Sequence, residues 1–140
     1  MFLDILVAVD RSESSRRALE HAIDLARAMN AMLTLIAVAP PLSSYVTLAG
    51  VNSETMLAEL DRWAAETLAQ AASAVPDDVV VHRVQRRGSA GAEIVDEIER
   101  GKHDLVVLGS RGRGRAQEGL LGSVNGYVHF HARVPLLSVP

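Results

Sequence analysis

Gly109, Gly112, Gly122 and Ser123 are spaced Gly-x2-Gly-x9-Gly-Ser, starting where the apolar run Asp104-Leu-Val-Val-Leu108 ends and finishing where a helical segment starts. Two glycines just past a strand let backbone come close to a ligand, because no Cβ stands in the way. A Gly-Ser pair at a helix start adds free N–H groups, a hydroxyl and the positive end of the helix. This is the layout of a phosphate-binding loop, and it predicts a nucleotide ligand. Arg111, Arg113 and Arg115 alternate with Gly112 and Gly114 in the same stretch. They offer charge to phosphates, with Arg111 the candidate contact; the plain alternative is a solvated loop, and a single short run is poor evidence for RNA binding.

What is missing narrows the chemistry. A Walker loop needs Gly-x4-Gly-Lys-Ser/Thr, and the only lysine is Lys102, before the fourth strand. A dinucleotide fingerprint would follow the first strand, where the chain has Asp10-Arg-Ser-Glu13 instead. There is no Gly-x-Ser-x-Gly elbow, and no Ser/His/Asp set stands out. His21, His82, His103, His129 and His131 are not spaced with carboxylates as metal ligands are, and most are expected at the surface.

The elements that must position this loop are legible from periodicity. Ile5 to Val9, Met32 to Val38, Val79 to Val84, Leu105 to Leu108 and Leu136 to Val139 read as strands. The third is the most mixed, which suits an edge. Ala18, Ala22, Ala26 and Met29 share one helical face, as do Leu60, Ala64, Leu68 and Ala71, and Ile94 with Ile98. A fourth helix is predicted from Ser123 to about Ala132. Alternating strands and helices predict an α/β domain with an open five-stranded parallel sheet and helices on both faces. Ligands of such sheets bind at the carboxyl ends of the strands, where Asp10 and Gly109 fall. The irregular stretch from Ala39 to Gly50 would hang over the same crevice, as a lid or as plain surface connection.

Length and composition set the outer bounds. The 140 residues suit one domain spanning 1–140, and 49% hydrophobic residues supply a core. A net charge of -3 argues against general nucleic-acid binding. With no cysteine, disulfides and thiolate metal sites are excluded. The absence of a long apolar run or a basic leader gives a soluble, cytoplasmic protein without membrane association as the expectation.

The stretch from Asp104 to Gly112, followed by Gly122-Ser-Val124 and Val134-Pro-Leu-Leu-Ser-Val139, resembles the C-terminal signature of the universal stress protein family. Ile5-Leu-Val-Ala-Val-Asp10 and Ser12 resemble its opening segment, and the element order matches over essentially the whole chain. The resemblance implies a Rossmann-like fold of the adenine nucleotide alpha hydrolase type. It also implies ATP or another adenine nucleotide, with or without Mg2+, between the first and fourth strands. Asp10 would contact the ribose and Val38 the adenine through its backbone. Gly109, Gly112, Gly122, Ser123 and Val124 would surround ribose and phosphates. The family has no common reaction, so the resemblance implies a regulatory or stress-adaptation role rather than turnover. The alternatives are a slow ATPase or nucleotidyl/phosphoryl transferase, and a nucleotide-free dimeric interaction module; cyclic AMP could replace ATP within the binding class.

Two positions depart from that pattern. Arg11 stands where glycine is usual, at a cost of roughly 1 kcal/mol if the position needs positive φ. Asn125-Gly126 replaces a hydroxyl residue and a helix former, which predicts a loose start to the last helix. Asp10-x-x-Glu13 also has capping-box spacing, so Asp10 is a candidate helix cap as well as a ribose contact. Ser123 is likewise a candidate cap. The last strand is predicted at an edge, where pairing with its two-fold mate would form a homodimer.

Overall fold

The computed structural model describes residues 1–42, 49–50, 52–110 and 123–140. Arg111, Gly112 and Gly122, with the rest of 111–122, lie outside the described residues, as do 43–48 and 51 of the irregular stretch. Among the described residues the elements run β1 (Asp4–Ala8), α1 (Glu13–Met29), β2 (Met32–Ala39), α2 (Ser53–Ser73), β3 (Val81–Arg87), α3 (Ala90–Gly101), β4 (Leu105–Gly109), α4 (Ser123–His131) and β5 (Leu136–Val139).

All strand pairs are parallel, and the sheet order is β3-β2-β1-β4-β5. The chain first builds outward from β1 through β2 to β3, then crosses back to place β4 on the other side of β1. The strand order therefore reverses between β1 and β4, leaving a crevice at their carboxyl ends. Strand alternation splits the core into two layers. Ile5, Val7, Leu33, Leu35, Leu105 and Val107 pack with Ala18 and Ala22 of α1 and Ala64 and Leu68 of α2. Leu6, Ile36, Val106 and Leu108 face the other way, onto Ile94 and Ile98 of α3 and Val128 of α4. This is the α/β architecture expected from the sequence, with helices on both faces.

β3 begins later and ends later than its apolar residues predict. Val79 and Val80 precede it, and the strand continues through Gln85, Arg86 and Arg87. At an edge, polar side chains need not be buried, so hydrophobicity underestimates the strand. The two arginines point to opposite faces and each anchors a helix. Arg86 pairs with Glu93, Asp96 and Glu97 of α3, the last at 2.6 Å, while Arg87 pairs with Asp61 of α2.

Four of the five histidines are exposed, as expected, but His103 is 4% exposed. Its Nδ1 is 2.8 Å from Asp4 Oδ1 and its Nε2 is 2.7 Å from Glu97 Oε2. Thr34 donates to the same Asp4 oxygen. A continuous polar chain thus runs from β2 through β1 and His103 to α3 and Arg86, which satisfies groups that would otherwise be buried unpaired. Asp4 and His103 lie at the amino ends of β1 and β4, while Arg86 reaches the chain from the carboxyl end of β3, level with Val38.

Candidate functional site

The first turn of α1 fixes the β1 side of the crevice. Ser12 is the N-cap of α1, accepting a hydrogen bond from the Ser15 amide at 3.1 Å. Asp10 is therefore not the cap that its spacing with Glu13 predicted. Its Oδ1 accepts from the Ser12 amide at 2.9 Å, an Asx turn that orients the carboxylate just before the helix. The Asp10 amide donates to Ser15 Oγ at 3.2 Å, and that hydroxyl donates on to Ala8 O at 3.3 Å. Between them Arg11 has φ 69, so the position does require the left-handed conformation that Arg11 adopts at a cost of roughly 1 kcal/mol.

The β4 side is fixed by close packing. A Cβ on Gly109 would lie 2.5 Å from Ser14 Oγ and 2.7 Å from the Ser15 nitrogen, so this position must be glycine for α1 to rest on β4. That reason differs from the ligand approach inferred from sequence. On the far side, Asn125 of α4 donates from Nδ2 to Gly109 O at 3.3 Å and to Ser138 Oγ at 3.0 Å. Asn125 is 2% exposed and its Oδ1 has no hydrogen-bond partner. The residue that departs from the expected pattern therefore braces the start of α4. Ser123 is the first residue of α4.

These elements enclose a cavity of about 360 Å³ at the switch point. Asp10, Val38, Gly109, Ser123 and Val124 all line it, so five of the eight residues singled out from sequence converge there. Arg111, Gly112 and Gly122 lie outside the described residues. Ala8, Ile36, Val38, Ile94 and Leu108 make an apolar interior, and Asp10, Ser12, Ser89 and Ser123 add polar groups. Both α3 and α4 begin at the cavity, bringing two positive helix ends to it. The arrangement suits a ligand with a flat apolar body and an anionic tail. Gly88, at φ 141, turns the chain into α3 and lines the cavity as well.

Sequence reasoning missed Ile36, Trp63, Ser89 and Asn125 as lining residues. Ile36 was accessible from alternation, since it shares a face with Val38 two residues on. Trp63 carried no signal, because α2 reaches the cavity only through the packing of its helix. Among the described residues, no group of three or more His, Asp or Glu could hold a metal ion, and no helix is long and apolar enough to cross a membrane.

The sequence profile of the Universal stress protein family matches residues 1–140. The chain belongs to this family. Universal stress protein Sll1654 of Synechocystis sp. is 30% identical over 143 residues, spanning 100% of this chain and 87% of its relative. Among solved structures, hypothetical protein MJ0577 shares the fold with a TM-score of 0.85 at 24% identity, covering 99% of this universal stress protein and 96% of that chain. A universal stress protein in complex with cAMP is 25% identical, with a TM-score of 0.65 and coverage of 99% and 97%.

Proposed function

We propose that this universal stress protein binds an adenine nucleotide, ATP in the first instance, and acts as a nucleotide-responsive regulatory protein of the cytoplasm. The observation that carries the reading is the convergence of Asp10, Val38, Gly109, Ser123 and Val124 on one cavity between β1 and β4. The Asp10 carboxylate would accept hydrogen bonds from ribose hydroxyls, and the Val38 backbone would meet the adenine edge. Ser123, Val124 and the head of α4 would hold phosphate, together with Arg111, Gly112 and Gly122. Mg2+, if it accompanies the nucleotide, would be held chiefly by phosphate oxygens and water, as Mg2+ commonly is. The cAMP complex of a relative favours a monophosphate as the second reading. A homodimer through β5 belongs to the same proposal, because Leu136–Val139 is an edge strand whose outer side pairs with no strand of the described residues.

Calorimetric titration of ATP, ADP, AMP and cyclic AMP into ligand-free protein tests the reading and ranks the phosphate requirement. Binding is expected to weaken by about 1–3 kcal/mol in Asp10→Ala, the cost of leaving a buried hydrogen-bonding group without its partner. If no nucleotide binds more tightly than about 1 mM, near -4 kcal/mol, while the protein is folded, the assignment fails.

A further inference from the structure

Arg11 holds a strained backbone conformation, and such conformations persist where the surroundings over-determine them. Here the surroundings are α2. Arg11 Nε donates to Thr67 Oγ1 at 2.8 Å, and its Nη2 donates to the Trp63 carbonyl at 3.4 Å and lies 3.6 Å from the Glu66 carboxylate. Thr67 is 2% exposed and donates its own hydroxyl to the same Trp63 carbonyl at 2.7 Å. Arg11 and Thr67 thus both bond one turn of α2.

These bonds cross a gap. A groove of about 200 Å³ separates Arg16 and Leu19 of α1 from Gln70, Ala71 and Ala74 of α2, so the two helices do not close on each other there. Arg11 spans it. The loop that carries Arg11 carries Asp10, and the turn of α2 that it holds carries Trp63, which lines the main cavity beside Pro40 and Pro41.

We propose that Trp63 is a ligand-contacting residue, an indole wall against which the planar base of the nucleotide packs, and that Arg11 is the positioning residue that holds it there. This rests on the nucleotide reading above and adds the part of the ligand that Trp63 recognises. An indole face attracts a heteroaromatic ring through dispersion and stacking and offers nothing comparable to free phosphate. The site therefore discriminates a purine nucleotide from an inorganic polyphosphate on its α2 side. Arg11 achieves this by converting the geometry of the β1–α1 loop into the position of a helix on the other side of the groove.

Trp63 is the sole tryptophan, so its fluorescence reports on this wall alone. AMP, ATP and inorganic tripolyphosphate are titrated into ligand-free protein, with emission and calorimetry followed in parallel. AMP and ATP are expected to change Trp63 emission and tripolyphosphate to leave it unchanged. Trp63→Ala should weaken AMP about tenfold, whereas Trp63→Phe, which keeps an aromatic face, should stay within about threefold. Arg11→Gly relieves the strain yet releases α2; it should red-shift emission of the free protein and weaken AMP about threefold, and Thr67→Val should act in the same direction. Circular dichroism confirms that each variant is folded. Calorimetric binding of AMP with unchanged emission, and with Trp63→Ala within twofold of the parent, overturns the proposal and leaves the nucleotide reading standing. Calorimetry showing no binding of either nucleotide overturns both.

Discussion

Asn125 donates from Nδ2 to the carbonyl of Gly109 at 3.3 Å, and through Ser138 it also reaches β5, so one buried amide ties α4 to the ends of two strands. Asn125→Ala should destabilise the fold by about 1–3 kcal/mol, the cost of leaving buried polar groups without partners. Asn125→Asp should cost more, because it sets a buried carboxylate against the Gly109 carbonyl. Urea denaturation of the two variants beside the parent gives both values, and equal stability of all three would remove the brace from the argument.

Gly109 is expected to be intolerant for reasons of packing. With an added Cβ at 2.5 Å from Ser14 Oγ and 2.7 Å from the backbone of Ser14, Gly109→Ala must push α1 off β4. A loss of about 1–3 kcal/mol is expected in thermal or urea unfolding, the usual cost of overpacking. Unfolding indistinguishable from the parent would show that α1 can shift freely.

Arg86 joins β3 to α3 through Glu93, Asp96 and Glu97. The hydrogen bond from Arg86, and then that from Arg100, hold the Asp96 carboxyl below its ordinary value. A depressed carboxylate contributes stability that is present above its unfolded pKa and lost as the pH falls through the folded one. Asp96 should therefore titrate below the ordinary aspartate range in carbon NMR, and its midpoint should move upward in Arg86→Met. The same substitution leaves the buried Glu97 with only His103 and should cost about 2–3 kcal/mol at neutral pH, somewhat under the usual cost of breaking a buried pair.

Gly112→Val separates ligand binding from folding. A branched side chain should fill the approach to the phosphates while the sheet still forms, so ATP binding is lost and the circular-dichroism spectrum is kept. Turnover should be slow in the parent, below about 1 per second, because neither a Walker lysine nor an evident general base is present in the sequence. Faster hydrolysis that disappears in Gly112→Val would make the protein an ATPase.

Self-association through β5 is expected to give a dimer by light scattering at tens of micromolar, since moderate interfaces dissociate in roughly the micromolar range. Leu136→Pro removes a backbone donor that faces away from β4, on the open side of the edge strand, and should shift the population toward monomer. A parent protein that is wholly monomeric at that concentration contradicts the interface.

The sequence by itself determined the architecture and the end of the sheet where a ligand would sit. Fully buried parallel strands read as apolar runs, and Ala18, Ala22 and Ala26 could face only one way, so local periodicity was enough. It placed Asp10, Val38, Gly109, Ser123 and Val124 at strand ends and a helix start, and those positions meet once the strand order reverses. Tertiary structure alone decided the rest. Capping-box spacing made Asp10 a candidate cap, yet Ser12 caps α1, because the loop geometry leaves Asp10 two residues short of the cap position. Polar Gln85, Arg86 and Arg87 gave no strand signal, since an edge strand is held by its neighbour's backbone and not by burial of its own side chains. His103 looked like a surface residue until Asp4 and Glu97, 99 and 6 residues away, supplied both its partners. Trp63 reaches the cavity through the packing of α2, and its carbonyl accepts a hydrogen bond from Arg11, 52 residues distant; contacts of that range leave no trace in spacing.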